Sequence, residues 1–203
     1  MINASVVFWV FLGIFVVVGM MRGWQREIIA TASIVLALFA LSQLNISLRL
    51  TSLIADAKLD GLAPAQQLLA VDAVKVKRFF ILAAPFMLIT FFGYLGPTLT
   101  RQLSGGRFGD RARARLQDSL IGVMIGALNG WLIVSTLVRF AYNNGLLPDQ
   151  GQFPSAGAAL FLPPAGGWSK FIFIEYSALV TLTGPLLIVA LVLLFIFVIV
   201  AFI

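Results

Sequence analysis

Long stretches without a charged residue alternate with charged segments of different lengths along the chain. Five such stretches cover residues 1–21, 28–48, 79–100, 119–138 and 176–203. Each supplies the roughly 20 apolar residues that a membrane-spanning helix requires. The apolar residues run continuously, without the alternation typical of a transmembrane β-strand, so helices are predicted. The pattern therefore predicts an all-α, polytopic membrane protein with about five transmembrane helices.

Composition excludes several classes of function. Hydrophobic residues make up 61% of the chain and charged residues 11%, whereas soluble domains contain about 25% charged residues. The chain has no Cys and no His, which removes the usual thiolate and imidazole ligands and the usual catalytic base. The predicted spans also contain no acidic pair and no Lys that could take over this role. We therefore expect no enzymatic activity, no cofactor and no metal site.

The distribution of positive charge predicts an orientation. Seven of the 14 Lys and Arg residues lie in the two short connections of the predicted bundle, namely Arg22, Arg26, Arg101, Arg107, Arg111, Arg113 and Arg115. Short loops rich in Lys and Arg remain in the cytoplasm, so we expect the N-terminus outside and the C-terminus in the cytoplasm. In this setting the net charge of +6 indicates contact with anionic lipids rather than with nucleic acid.

The two long connections differ in character. Pro64 is suited to the first turn of a helix, and no breaker follows before residue 79, so the third helix is expected to begin well before its apolar stretch. Pro85 and Pro97 are expected to kink or end that helix. Residues 143–182 are rich in Pro and Gly, and their apolar parts, 158–162 and 171–174, are expected at the membrane interface or against a partner. Pro185 is expected to open an additional transmembrane helix within residues 183–203.

Glycines recur at every fourth position in the predicted fourth helix. Gly122, Gly126 and Gly130 lie on one helical face, and Asn129 lies beside them. Without side chains, these positions let a neighbouring backbone approach closely, and a polar residue such as Asn forms hydrogen bonds between helices. Packing within the chain is the first interpretation. A homo-oligomer contact and a groove for a lipid or small molecule are the alternatives.

A second motif, Arg22-Gly23-x-x-Arg26-Glu27, occupies the turn between the first two helices. Glu27 favours the positive end of the second helix, and Arg22 and Arg26 can pair with it or with lipid phosphate. A tight turn that fixes topology is the simpler interpretation, and a docking site for a cytoplasmic partner is the other. The candidate residues for partner or lipid contact are Arg22, Gly23, Arg26, Glu27, Arg111, Arg113, Arg115 and Asp118.

These two motifs resemble those of the colicin V production protein (CvpA) family of bacterial inner-membrane proteins. The turn RGWQRE and the helix RLQDSLIGVMIGALNGWLIV carry the resemblance, which covers about residues 5–142. Ser119 and Asn129 stand where the family commonly has arginine. The resemblance implies a four-helix membrane domain over residues 1–142, to which this chain adds the 143–182 connection and a fifth helix. It also implies a role in toxin production or export and in envelope homeostasis, without enzymatic activity.

Three function hypotheses follow. The first is a protein of this family that acts through contacts with other membrane proteins or with a second copy of itself. The second is an accessory structural subunit of a larger membrane complex, suggested by the added apolar helix. The third, a transporter or channel, is disfavoured because no predicted span carries a central charge to line a path.

Overall fold

The structure is a computed structural model that describes residues 2–43, 64–104, 112–147, 161–162, 167–177 and 185–202. Six helices and two short strands lie within these residues. The helices are α1 (Ala4–Arg22), α2 (Trp24–Gln43), α3 (Pro64–Ser104), α4 (Ala112–Asn143), α5 (Ile172–Glu175) and α6 (Pro185–Phe202). The strands β1 (Ile2–Asn3) and β2 (Phe161–Leu162) pair in parallel.

Four helices are long and apolar enough to cross a membrane. Their candidate spans are Ser5–Arg22, Trp24–Ser42, Ala73–Leu95 and Asp118–Asn143. This confirms the all-helical membrane fold. α6 is apolar throughout and has 18 residues, because it begins at Pro185. It is therefore shorter than the charge-free stretch of residues 176–203 from which it was predicted. Its crossing of the membrane stays a prediction.

Two boundaries differ from those expected. α2 begins at Trp24, four residues before its charge-free stretch, because Gly23 at φ 78° turns the chain directly from α1 into α2. α3 begins at Pro64, as predicted, but it continues through both Pro85 and Pro97 to Ser104. The expected end of the helix near these prolines is therefore wrong. Neighbouring helices and local adjustments let membrane helices continue through proline.

α2 and α4 form the centre of the bundle. α1 packs on α4, whereas α3 and α6 both pack on α2. The main core contains Ile34 and Leu38 of α2, Phe86 of α3, Phe140 of α4 and Leu187 of α6. The rings of Phe86 and Phe140 meet edge to face, with centroids 6.0 Å apart. These contacts bring α2, α3, α4 and α6 together around one apolar centre.

The segment around α5 packs on its own chain. Trp168, Phe171 and Phe173 are buried together with the end of α4 and with Phe8 of α1. Phe173 stacks on Trp131 with ring centroids 4.6 Å apart. The sequence had placed residues 171–174 at the membrane interface or against a partner, and it gave no sign that α1 and α4 would cover them. The apolar residues 158–160 lie outside the described part of the chain.

Candidate functional site

The turn motif and the beginning of the fourth-helix motif meet in space. The Trp24 backbone N–H donates a hydrogen bond to Asp118 Oδ1 at 3.1 Å, so Asp118 of α4 caps the first turn of α2. The Ser119 hydroxyl donates to the Met20 carbonyl at 2.9 Å, near the end of α1. A Cβ at Gly23 would lie 2.7 Å from Asp118 Oδ2. Glycine at position 23 therefore provides both the left-handed backbone and the room for the capping carboxylate.

The glycine face of α4 packs on α1. Gly122 is in direct contact with Gly19, each approaching the other's carbonyl oxygen. A Cβ at Gly126 would lie 2.6 Å from the Phe15 carbonyl oxygen and 2.8 Å from Gly19 Cα, and one at Gly130 would lie 2.6 Å from Phe15 Cβ. The structure thus places all three glycines in a contact within the chain. Gly19 is the matching residue of α1, and the sequence analysis had not singled it out.

A buried carboxylate lies just below this turn. The Glu27 side chain has no exposed surface, and three donors from three other helices surround it. Arg22 Nη1 lies 3.1 Å from Oε1, the Tyr94 hydroxyl 3.3 Å from Oε2, and Asn129 Nδ2 2.9 Å from Oε2. Arg22 also donates to the Tyr94 carbonyl at 2.6 Å and lies over the Tyr94 ring, 4.5 Å from its centroid.

The polar groups around this carboxylate extend one turn further along α2. Asn129 Nδ2 lies 2.9 Å from the Glu27 carbonyl, and the Thr31 hydroxyl lies 2.7 Å from Asn129 Oδ1 and 2.8 Å from the same carbonyl. We call Arg22, Glu27, Thr31, Tyr94 and Asn129 the Glu27 cluster. It takes a residue from each of the four long helices, and Asn129 is buried at its centre.

The Glu27 cluster is suited to holding helices together. Its single negative charge is paired with the single positive charge of Arg22, and its donors are directed at acceptors inside the bundle. Isolated charges and unpaired polar groups are costly in hydrocarbon. Because the donors of Arg22, Tyr94 and Asn129 all contact the Glu27 carboxylate, one acceptor group satisfies all three. Among the described residues, no group of three or more Asp, Glu, His or Cys side chains could hold a metal ion.

The other sequence-predicted arginines are not members of this cluster. Arg26 is half-buried, and Arg113 and Arg115 belong to the first turn of α4. Arg111 lies outside the described residues. The sequence analysis missed Tyr94 and Thr31. Thr31 had a signal, since it follows Glu27 by one helical turn, whereas only the packing of α3 on α2 brings Tyr94 to the carboxylate.

Residues 4–165 match the family described as Colicin V production protein. This chain belongs to the colicin V production protein family. The match includes α1 to α4 and therefore the whole Glu27 cluster, and it extends beyond residue 142 to include β2. α5 and α6 of this family member lie after the matched region. No curated protein and no solved structure matches the chain.

Proposed function

We propose that this colicin V production family member supports toxin production or export, or envelope homeostasis, as a non-enzymatic membrane protein that acts by contacting other membrane proteins. The support is that the polar residues of the two motifs contact one another inside the bundle. The motif side chains of the turn and of α4 bind one another, so they act as a scaffold for the helices. Partner proteins would then contact the outer surfaces of these helices.

One surface of α1 carries this proposal. Val6, Val10 and Val17 lie on the side of α1 that faces away from α4, and each is more than half exposed. Gly13 lies between them, and apart from its chain neighbours and the nearby backbone of α1, no atom of the described residues comes within 4 Å of the position that its Cβ would take. Small residues let a second membrane helix approach closely. We call this the Gly13 face and expect a partner helix to contact it.

Gly13→Leu tests the proposal because it changes this face without touching the α1–α4 contact. The protein would be extracted from native membranes in a mild detergent, and the mass and composition of the native complex determined. We expect the unmodified chain to carry another membrane protein in a fixed ratio and Gly13→Leu to lose it while staying folded. Val189→Leu is the matched control, since Val189 is an exposed residue of α6.

The same variants can be compared in cells that lack the protein. Toxin secretion and resistance to envelope stress should be restored by the unmodified chain and by Val189→Leu, but not by Gly13→Leu. A chain that purifies alone, with lipid only, would contradict the proposed partner contact. Unchanged secretion and unchanged envelope resistance in cells without the protein would contradict the proposed role itself.

An accessory role in a larger complex is the second candidate, and α6 supports it. This helix lies after the family match and packs on α2 through Leu187, while Leu186, Leu193 and Phe195 are more than half exposed. An apolar helix covered on one side offers a large surface to other subunits. Several unrelated membrane subunits in a fixed ratio would favour this role, and a complex with a single partner would argue against it.

We further propose a location in the bacterial inner membrane, with the N-terminus outside and the C-terminus in the cytoplasm. The α1–α2 turn contacts Tyr94 and Asp118, which lie close to the ends of the candidate spans of α3 and α4. This contact supports a common side of the membrane for these three span ends, in keeping with the positive-inside rule. Reporter fusions at the two termini test the orientation. Replacing Arg22 and Arg26 with Glu should disturb the orientation. Unchanged reporter signals would mean that the turn has only a local packing role.

A further inference from the structure

A half-buried arginine of α3 has no counter-charge in the described part of the chain. Arg78 Nε is buried, and it has no hydrogen-bond partner among the described residues. No acidic side chain of these residues forms an ion pair with Arg78 either. An unpaired charge close to hydrocarbon is costly. From this geometry we propose that Arg78 binds the phosphate group of a membrane phospholipid, with Lys75 as a second cation beside it.

Arg78 lies between two contacts that α3 makes with the end of α4. Two turns after Arg78, the ring of Phe86 meets the ring of Phe140 with centroids 6.0 Å apart. One turn before Arg78, Lys75 Cε lies 3.5 Å from the position that a Cβ at Gly145 would take. Residues three and four positions apart share one face of a helix, so Arg78 is on the side of α3 that carries both contacts. Its buried Nε restricts the guanidinium, unlike that of an arginine that simply extends into the headgroups.

The position of Arg78 along α3 corresponds to the depth of lipid headgroups. Tyr94 of the same helix contacts the α1–α2 turn, where α1 ends and α2 begins. Arg78 precedes Tyr94 by roughly four and a half turns, which is about 24 Å along the helix. The hydrocarbon layer is about 30 Å thick. With the turn at one boundary of this layer, Arg78 is close to the other boundary, and its long side chain reaches the phosphates there.

The chemistry of Arg78 and Lys75 favours a phosphate. A guanidinium is planar and always charged, and its donors form a fork that matches two phosphate oxygens. Lys75 adds a second positive charge one turn away on the same face. A phospholipid carries its phosphate to this depth because its chains already lie in the hydrocarbon. Both leaflets of a membrane contain such phosphates, so the proposal does not depend on the orientation of the chain.

The test measures phospholipid binding to the full-length chain. The purified protein in detergent is titrated with palmitoyl-oleoyl phosphatidylglycerol, and the apparent Kd of the first bound lipid is determined by native mass spectrometry. Arg78→Gln should raise this Kd about tenfold or more, because hydrogen bonds to a charged group are lost. Lys77→Gln is the matched control. Lys77 is the exposed neighbour of Arg78, so the same loss of charge should change the Kd less than about twofold.

A second measurement uses only the unmodified chain and so does not depend on the folding of Arg78→Gln. A diacylglycerol with the same two chains, but without phosphate, should not displace the bound phospholipid. Inorganic phosphate at the concentration of the lipid should also fail to displace it, because free phosphate lacks the chains that hold the lipid at this depth.

Several outcomes would overturn the proposal. Equal Kd values for Arg78→Gln and Lys77→Gln, or displacement by diacylglycerol, would show that the phosphate is not recognised by Arg78. Displacement by inorganic phosphate would overturn the assignment to a lipid. The proposal would also fail if the unmodified chain bound no phospholipid, or if Arg78 were found paired with a carboxylate of a co-purifying protein.

Discussion

Removing the Glu27 carboxylate is expected to destabilise the bundle more than removing an uncharged side chain of the Glu27 cluster. In Glu27→Ala, the Arg22 guanidinium loses its counter-charge. Water replaces that partner poorly, because only 14% of the Arg22 side chain is exposed. The Tyr94 hydroxyl and Asn129 Nδ2 lose an acceptor at the same time. The substitution therefore leaves the Arg22 charge and the Tyr94 hydroxyl without the carboxylate in a largely apolar environment, whereas Asn129 Nδ2 keeps the Glu27 carbonyl as an acceptor.

The magnitude follows from the burial of the pair. Removing one partner of a buried ion pair costs roughly 3–5 kcal/mol, and the residual exposure of Arg22 places the expected loss near the lower end, about 3 kcal/mol. Asn129→Ala removes hydrogen bonds but no charge. Interhelical hydrogen bonds in membrane proteins contribute about 0.6 kcal/mol on average and at most about 1.7 kcal/mol. We therefore expect Asn129→Ala to cost about half as much as Glu27→Ala.

A double-mutant cycle separates the ion pair from local packing. The double variant Arg22→Ala with Glu27→Ala removes both charges, so it should lose at least ~1 kcal/mol less than the sum of the two single variants. The free energy of unfolding would be measured by adding denaturing detergent to the protein in mild detergent and following helix content. Additivity of the two single losses within ~0.5 kcal/mol would show that the charges do not stabilise each other, and the reasoning would fail.

Three further substitutions test other contacts by the same unfolding measurement. Gly126→Leu should cost ~3 kcal/mol or more, because the new side chain forces α1 and α4 apart. Gly13→Leu, made where the α1 surface is open, should be nearly neutral. Equal losses in the two variants would disprove the close contact. Asp118→Ala should cost about 1 kcal/mol by exposing the Trp24 N–H, and Asp118→Asn should recover most of it, so identical losses would argue against capping. Phe173→Ala should cost about 3–5 kcal/mol by leaving a cavity beneath α5, and a loss below about 1 kcal/mol would mean that α5 is loosely attached.

The helices were predictable from the sequence because hydrocarbon leaves the backbone few alternatives. Uninterrupted apolar stretches located α1, α2, α3 and α4, and Pro185 marked the start of α6. Proline was a poorer guide within α3, where the rule for soluble helices predicted an end that the structure does not have. Whether a proline ends a helix depends on the helices packed around it, and a single sequence does not show which helices those are.

Contacts between distant residues were harder to predict. The pairing of Arg22 with Glu27 was foreseen because the two residues are close in sequence, and close packing at Gly126 was foreseen from the spacing of the glycines. Tyr94 carried no local sign of its role, since its hydroxyl reaches Glu27 only when α3 is packed on α2. The aromatic residues near α5 were similarly misleading, because aromatic side chains are enriched at membrane interfaces and also pack in buried clusters.

The cap of α2 by a residue of α4 has a consequence for the synthesis of the protein. Trp24 precedes Asp118 by 94 residues, and Glu27 precedes Asn129 by 102. At the usual rate of roughly 5–20 residues per second, the ribosome needs about 5–20 s to deliver these partners. During that interval α1 and α2 have been synthesised, and the Glu27 carboxylate still lacks Tyr94 and Asn129. Biogenesis of the protein therefore includes a stage in which the hairpin must rely on water, lipid headgroups or the insertion machinery to satisfy its polar turn.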